Sequence, residues 1–264
     1  MSGRALVDGV GIAYDVTGPP DAPALVLVHS LGQDRSMWWA QVRSWRDDHR
    51  LLAVDLRGHG RSDAPEGRYT IAMLAGDVLA AAADAGIDRF HLCGVSIGGL
   101  VAQWLAVNAP ERLRSLVASN TAARIGSEGS WRERIDLIRT LGMEASAEKI
   151  VPGWFSPGFP EREPEAYARV IGAFRATSPV GYTGACSALA DCDLRDEVGR
   201  IRVPTLLIGG ELDRATTPDD ARRLHEQIPE STLEILEGVG HQSSVEAAEV
   251  FTRKVGAFID GVEG

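Results

Sequence analysis

The chain has few features of a disulfide-stapled, zinc-binding, membrane or nucleic-acid-binding protein. It holds only three cysteines in 264 residues, Cys93, Cys186 and Cys192, with no CxxC spacing, so neither a disulfide framework nor a zinc site is indicated. No apolar stretch approaches the ~18 residues of a membrane-spanning helix, and the net charge of −10 disfavours nucleic acid. The first eight residues contain no apolar signal region. We therefore expect a cytoplasmic protein without a membrane or nucleic-acid partner.

Short apolar runs alternate with helical patterns along most of the chain, as is typical of a mainly parallel sheet with helices on both faces. A hairpin is predicted over 5–15, turning at Asp8 and Gly9. Six further strands are predicted at 24–28, 51–54, 90–93, 115–118, 205–208 and 233–236. Helices are predicted near 70–85 with Thr70 as N-cap, 97–108, 218–228 and 244–260. The fold class is α/β, with an eight-stranded sheet.

Residues 122–195 interrupt this alternation. They contain Trp131, Trp154, Phe155 and several prolines in mostly helical patterns, with no strand-like run. We interpret them as a helical cap inserted over the carboxyl end of the sheet, where such sheets bind their ligands. The core then consists of 1–121 and 196–264. The alternative is that the inserted helices are ordinary core helices.

The pentapeptide Gly94-Val95-Ser96-Ile97-Gly98 lies between a predicted strand and a predicted helix. That context is typical of a nucleophile elbow, in which a sharp turn exposes a serine hydroxyl at the carboxyl end of the sheet. Glycines flank the serine because the turn leaves no room for side chains. Ser96 is therefore the candidate nucleophile, and the alternative is a tight turn with a capping serine.

A serine hydroxyl needs a base to act as a nucleophile, and only two histidines follow Ser96 in the chain. His225 lies among charged residues in a predicted helix and is interpreted as a surface residue. His241 lies in a glycine-flanked turn after the last strand, from which it can reach back over the elbow. We therefore predict that His241 is the base.

The acid that orients the base is expected between the serine and the histidine in sequence. Asp213 directly follows the strand at 205–208, which suits a carboxylate that fixes the imidazole tautomer. Glu211 is the alternative acid. The loop after the strand at 115–118 offers only Asn120, an amide without the required charge.

Two backbone N–H groups are predicted to stabilise the oxyanion of the tetrahedral intermediate. One belongs to Ile97, directly after the serine, and the other to Leu31, in the turn at 29–32. His29 precedes the serine and is interpreted as a structural residue of that turn. The charged, glycine-rich segment 55–63 lacks the patterns of phosphate-binding and dinucleotide-binding loops, so we interpret it as a salt-bridged structural turn.

Taken together, these motifs resemble the α/β-hydrolase fold family. The segments HSLG, DLRGHGRSD, GVSIGG, GGELD and VGHQ occur in the order found in that family. A closer similarity joins the chain to the 3-oxoadipate enol-lactonases, and it extends into the predicted cap. It is carried by the segments RFHLCG, AQWL, APERL, SNTAARIG, ATSPVGY and ALADCDL.

This resemblance implies that the protein hydrolyses an enol lactone to 3-oxoadipate in the β-ketoadipate branch of aromatic catabolism, with no metal or cofactor. The substrate carries a carboxylate, so the resemblance also implies a cation in the acidic protein. We select Arg124 first, with Arg132 and Arg134 as alternatives, and Trp131 as a pocket wall or N–H donor. A carboxylesterase, another lactonase, a cofactor-free perhydrolase and a non-enzymatic scaffold remain alternatives.

Overall fold

The computed structural model describes residues 1–263. Its strands are β1 (Ser2–Val7), β2 (Val10–Thr17), β3 (Ala24–Val28), β4 (Arg50–Val54), β5 (Phe90–Val95), β6 (Leu113–Ser119), β7 (Thr205–Gly210) and β8 (Ser231–Leu236). They form one eight-stranded sheet in the order β1-β2-β4-β3-β5-β6-β7-β8. β2 runs antiparallel to both β1 and β4, and every other pair is parallel. The predicted fold class, with its eight-stranded, mainly parallel sheet, is confirmed.

The helices are α1 (Trp39–Trp45), α2 (Ile71–Asp84), α3 (Ile97–Asn108), α4 (Glu128–Ile150), α5 (Phe159–Arg162), α6 (Pro164–Ala176), α7 (Pro179–Asp191), α8 (Pro218–Gln227), α9 (Ser243–Glu246) and α10 (Ala248–Glu263). Thr70 caps α2, as predicted, by accepting a hydrogen bond from the Met73 N–H at 3.1 Å. The helix predicted over 244–260 is instead α9 and α10, because Ala247 (φ −121°, ψ 44°) turns the chain between them. Within residues 1–263, no helix is both long and apolar enough to cross a membrane.

Both faces of the sheet are buried, which explains why its strands read as continuous apolar runs. In β3, Leu25 and Leu27 point to one face, and Val26 and Val28 point to the other. Helices α1 and α10 cover the first face, and α2 and α3 cover the second. Phe90 is fully buried at the start of the next strand, β5. The central strands thereby hold their carboxyl ends rigidly at one edge of the sheet.

Helices α4 to α7 lie between β6 and β7, and the segment 122–195 contains no strand. Helix α4 is broken at Gly142, whose φ of 71° and ψ of 175° are not helical, and it packs against α6 and α7. The insertion is therefore helical, as expected. The division into a core of 1–121 and 196–264 and a cap of 122–195 stays a prediction.

Candidate active site

Ser96 joins the end of β5 to the start of α3 with φ 58° and ψ −116°, a backbone conformation that is uncommon outside glycine. The turn closes tightly around it, since a Cβ added to Gly94 would lie 2.2 Å from the Gly98 carbonyl oxygen. Ser96 also donates its backbone N–H to the Ser119 carbonyl at 3.0 Å. The surrounding structure thus enforces the strained turn that the sequence predicts and holds the hydroxyl above the sheet edge.

Asp213 follows β7, and His241 follows β8, so adjacent parallel strands bring the two side chains to the same edge. His241 Nδ1 lies 2.8 Å from Asp213 Oδ2. Both residues are buried, at 5% and 3% exposure. The acid and the base selected from the sequence are therefore hydrogen-bonded. The alternative acid, Glu211, is exposed and accepts the Gly238 N–H.

Four donors besides His241 surround the Asp213 carboxylate. Oδ1 accepts the N–H groups of Ala215 and Thr216, and Oδ2 accepts the Thr216 hydroxyl and the Asn120 amide. Burial alone would raise the pKa of Asp213, but the His241 charge and these hydrogen bonds lower it to about 2. The carboxylate consequently stays ionised throughout the neutral range, and one oxygen is fixed for the imidazole Nδ1.

Ser96 and His241 line one cavity of about 180 Å³ beneath the inserted helices. No hydrogen bond joins Ser96 Oγ to His241 Nε2 within residues 1–263, and such pairs often tighten only when substrate binds. Leu31 lines the same cavity, and Ile97 is the first residue of α3. The remaining walls are Ser30, Ile125, Gly126, Ser130, Trp131, Arg134, Trp154, Ala215 and Gln242.

The three candidate arginines occupy different surroundings. Arg124 pairs with Asp193 at 3.2 Å and does not line the cavity. Arg132 is exposed on α4 and pairs with Glu128 one turn earlier. Arg134 lines the cavity, and within residues 1–263 no carboxylate oxygen lies within 4.0 Å of its guanidinium. Of the three candidates, Arg134 rather than the first-selected Arg124 lines the cavity of Ser96, and the carboxylate-binding role of an arginine stays a prediction.

Trp131 also lines the cavity, one helical turn before Arg134 on α4. Its indole Nε1 donates to the Ile125 carbonyl at 2.6 Å. Since the single donor of the side chain is occupied, Trp131 can act as a wall of the cavity rather than as a hydrogen-bond donor to a ligand. His225 is exposed beside Ser231, as expected for a surface residue.

A family model described as the alpha/beta hydrolase family matches residues 25–253. The chain belongs to this family. As an α/β hydrolase, it is 40% identical over 248 residues to 3-oxoadipate enol-lactonase 2 of Acinetobacter baylyi, a match covering 94% of this chain and 92% of that protein.

Two solved structures show how similar this α/β hydrolase is to its relatives. The enol-lactonase from Burkholderia xenovorans LB400 has a TM-score of 0.95 at 40% identity, covering 98% of this chain and 100% of that one. A thermophilic esterase from Thermogutta terrifontis, in a malate-bound structure, has a TM-score of 0.93 at 26% identity over 100% of both chains. The similarity therefore extends through the inserted helices as well as the sheet.

Asn120 contributes to the site of this α/β hydrolase in a way that the sequence did not indicate. Its amide donates to Asp213 Oδ2 at 3.0 Å and to the Gly240 carbonyl at 3.1 Å. Its φ of 45° suits asparagine, which tolerates the left-handed region better than most residues. Asn120 therefore supports both the acid and the loop of the base. An amide directly after β6 is the one signal in the sequence, and it indicates a polar side chain at this edge of the sheet without showing its partners.

Replacing Asn120 with glycine is expected to lower kcat by about tenfold, because a hydrogen bond to a charged group contributes about 1.5–3 kcal/mol. Glycine accepts the positive φ, so the substitution removes the amide without adding backbone strain. Steady-state kinetics on an activated ester would measure the loss, with thermal unfolding as a check of the fold. An unchanged kcat would show that Asp213 does not need this donor.

Two buried histidines hold the turn that carries Leu31. His29 Nε2 accepts the Leu56 N–H at 2.9 Å, and His59 Nε2 accepts the Gly32 N–H at 3.1 Å. The structural interpretation of His29 is thereby confirmed. Their rings lie 5.1 Å apart, and burial lowers the pKa of both imidazoles, that of His59 to about 3. Both accepting nitrogens must stay unprotonated to keep these hydrogen bonds.

These histidines are expected to make the fold less stable as the pH falls below about 6.5, the ordinary histidine pKa. In that range the histidines bind protons in the unfolded chain but stay neutral in the native state, until the pH reaches their lowered native pKa values. Each histidine that stays neutral in the native state then lowers the free energy of unfolding by up to about 1.4 kcal/mol per pH unit. Chemical denaturation at pH values from about 7 to 5 would measure it. A free energy of unfolding that stays constant or rises over this range would contradict the assignment.

The segment 55–63 is confirmed as a salt-bridged turn. The guanidinium of Arg57 donates two hydrogen bonds of 2.6 Å to the buried carboxylate of Asp77 on α2. Asp55 pairs with Arg35 and accepts the Arg61 N–H at 2.8 Å. Bidentate pairs of this kind fix geometry as well as charge. These ion pairs therefore hold the turn, which also carries His59, in one geometry.

Proposed function

We propose that this chain is a serine hydrolase that opens the ring of 3-oxoadipate enol-lactone (5-oxo-4,5-dihydrofuran-2-ylacetate), giving 3-oxoadipate in aromatic catabolism. The observation that carries the proposal is the guanidinium of Arg134, which pairs with no carboxylate among residues 1–263 and lines a small cavity together with Ser96 and His241. Such a cavity suits a small ester that bears a carboxylate. The 40% identity to an enol-lactonase supports the same substrate.

In the proposed acylation, Ser96 Oγ attacks the lactone carbonyl carbon while His241 Nε2 takes the hydroxyl proton. The backbone N–H groups of Leu31 and Ile97 donate to the oxyanion that forms. Asp213 keeps the proton on Nδ1 of the imidazole and stabilises its positive charge. When the intermediate collapses, the bond from the carbonyl carbon to the ring oxygen breaks. The ring oxygen leaves as an enolate, takes the proton from His241, and the enol tautomerises to a ketone.

In the proposed deacylation, water takes the role of the nucleophile and Ser96 Oγ becomes the leaving group. His241 takes a proton from water, whose oxygen attacks the acyl carbon, and then returns the proton to Ser96 Oγ as the acid is released. One water is consumed for each lactone. Because the leaving group stays attached to the acyl chain, the product is a single molecule. No metal or cofactor takes part in the proposal.

Arg134 is proposed to bind the carboxylate of the substrate. The protein carries a net charge of −10, so an anionic ligand needs a local cation to enter. Arg134 donates to the Tyr182 hydroxyl at 3.3 Å, which holds one of its nitrogens and leaves other donors of the guanidinium fork for a ligand. Arg124 and Arg132 already pair with carboxylates. A cytoplasmic location stays a prediction.

A second candidate is a carboxylesterase of broader specificity. The esterase from Thermogutta terrifontis favours it, since its fold matches along the whole chain at a TM-score of 0.93. The same serine chemistry would serve both reactions. The two candidates differ in whether the carboxylate of the substrate contributes to binding.

The loss of ultraviolet absorbance of the enol lactone, generated in situ, tests the proposal beside the hydrolysis of p-nitrophenyl acetate and butyrate. The lactonase proposal predicts a kcat/KM for the lactone in the range of about 10⁴–10⁸ M⁻¹s⁻¹, well above that of either ester. If the esters are hydrolysed faster, the carboxylesterase is the better assignment. If none is hydrolysed, the serine hydrolase assignment itself fails.

A further inference from the structure

The carboxylate of Glu246 is buried directly behind the proposed base. Glu246 is the last residue of α9, and only 4% of its side chain is exposed. Oε2 accepts the Gly240 N–H at 2.7 Å, and Oε1 accepts the Ser156 N–H at 3.0 Å. The Ser156 hydroxyl also donates to Oε1. A buried carboxylate with this many donors is held in one geometry.

These donors belong to two different parts of the molecule. Gly240 immediately precedes His241 in the loop after β8, whereas Ser156 lies in the inserted helical segment between β6 and β7. One carboxylate therefore joins the loop of the base to the insertion. Arg162, whose guanidinium lies 4.0 Å from Oε1 and donates to the Ser156 hydroxyl, supplies a neighbouring positive charge.

The backbone strengthens the same junction. His241 donates its N–H to the Trp154 carbonyl at 2.6 Å, and the Trp154 side chain lines the cavity. The two segments also approach closely, since a Cβ added to Gly240 would lie 2.6 Å from the Trp154 carbonyl oxygen. The position of His241 is thus tied to residues 154–156, of which Trp154 lines the cavity.

We propose that Glu246 is a positioning residue that couples the inserted helical segment to the proposed base, His241. By holding Gly240 and Ser156 on one carboxylate, it sets the imidazole above Ser96 and places the Trp154 wall at the same time. The inference deepens the proposed function and rests on His241 being the base. It predicts that losing the link impairs turnover more than substrate binding, because His241 acts in both acylation and deacylation.

The test is the Glu246→Gln substitution. A carboxamide of the same shape has one accepting oxygen, so it cannot satisfy Gly240 and Ser156 together. We expect kcat to fall by about tenfold or more with KM changed by less than about threefold, for p-nitrophenyl acetate and the lactone alike. We also expect the low-field NMR signal of the His241 Nδ1 proton, which the 2.8 Å contact with Asp213 predicts for the wild type, to broaden or shift in the variant. Glu249→Gln, at an exposed position three residues along the chain, is the matched control.

A folded Glu246→Gln variant with unchanged kcat and an unchanged imidazole proton signal would overturn the proposal. So would a raised KM with kcat retained, which would limit Glu246 to shaping the cavity wall. If Glu246→Gln does not fold, Glu246→Asp keeps the charge but is one methylene too short to reach Gly240 and Ser156 together, and an unchanged kcat in that variant overturns the proposal as well. If the wild type hydrolyses neither the lactone nor the ester, the proposed function fails, whereas the proton signal still tests the Glu246 link.

Discussion

Replacing Ser96 with alanine should lower kcat for the enol lactone and for p-nitrophenyl acetate by about 10⁴-fold or more, with little change in thermal stability. The expected loss is large because the variant has no nucleophile for the acyl-enzyme, so only the proposed oxyanion donors, the N–H groups of Leu31 and Ile97, and the binding contacts remain. Alanine at φ 58° meets backbone strain close to that of serine, so the elbow should keep its shape. Stopped-time assays at high enzyme concentration would measure the residual rate.

Ser44→Ala provides the control for this prediction. Ser44 is exposed on α1 and does not line the cavity of Ser96, so its loss should leave both rates unchanged. Retention of more than about a tenth of the wild-type kcat in Ser96→Ala would contradict the covalent mechanism, since a triad member cannot be removed at so small a cost. The reaction would then proceed by direct attack of water.

Replacing Arg134 with glutamine should lower kcat/KM for the enol lactone by about 100-fold, because truncating one partner of a buried charge pair costs about 2–5 kcal/mol. Hydrolysis of p-nitrophenyl acetate, which has no carboxylate, should stay within about threefold of wild type. The selective loss follows from the position of Arg134 in the cavity without a carboxylate partner among residues 1–263. Paired steady-state assays on the two substrates would measure it.

The chain offers two matched controls for Arg134. Arg132→Gln changes an exposed arginine on the same helix, and Arg124→Gln changes the arginine that pairs with Asp193. Each should leave the preference for the lactone unchanged. If Arg124→Gln lost the preference and Arg134→Gln kept it, Arg124 rather than Arg134 would bind the carboxylate of the substrate.

The sequence predicts the sheet well because its strands are buried on both faces. Apolar runs such as 24–28 and 90–93 have one stable location, the centre of a sheet covered by helices, so pattern and structure agree. The sharp turn at Ser96 is equally local, since glycines within a few residues make it possible. Loops that follow strands carry Asp213 and His241 to the same edge, and the order of the strands in the sheet decides that they meet.

Local sequence patterns could not show which of the three arginines lines the cavity. The sequence indicates helical patterns over 122–195, but which face of a helix meets the cavity depends on how the insertion docks on the sheet. In the structure, α4 turns Ser130, Trp131 and Arg134 inward, a spacing of one helical turn, and leaves Arg132 exposed. Helical periodicity defines which residues share a face, whereas the docking of the helix determines where that face points.

Polar contacts between residues that are distant in the chain could not be predicted from the sequence either. Asn120 reaches Asp213 across 93 positions, and Ser156 reaches Glu246 across 90. Neither pair forms a local motif, because each depends on two segments that only the tertiary fold brings together. Composition and periodicity therefore do not indicate which distant residue a buried polar side chain will bind.

The most direct test of the account compares two lactones on the wild-type protein. One is the enol lactone, and the other has the same ring with a methyl group in place of the acetate arm. The ring chemistry is matched, so the ratio of kcat/KM values isolates the contribution of the carboxylate. We predict a preference of about 100-fold for the acid-bearing lactone. Equal kcat/KM values would contradict the claim that this α/β hydrolase selects its substrate through the carboxylate.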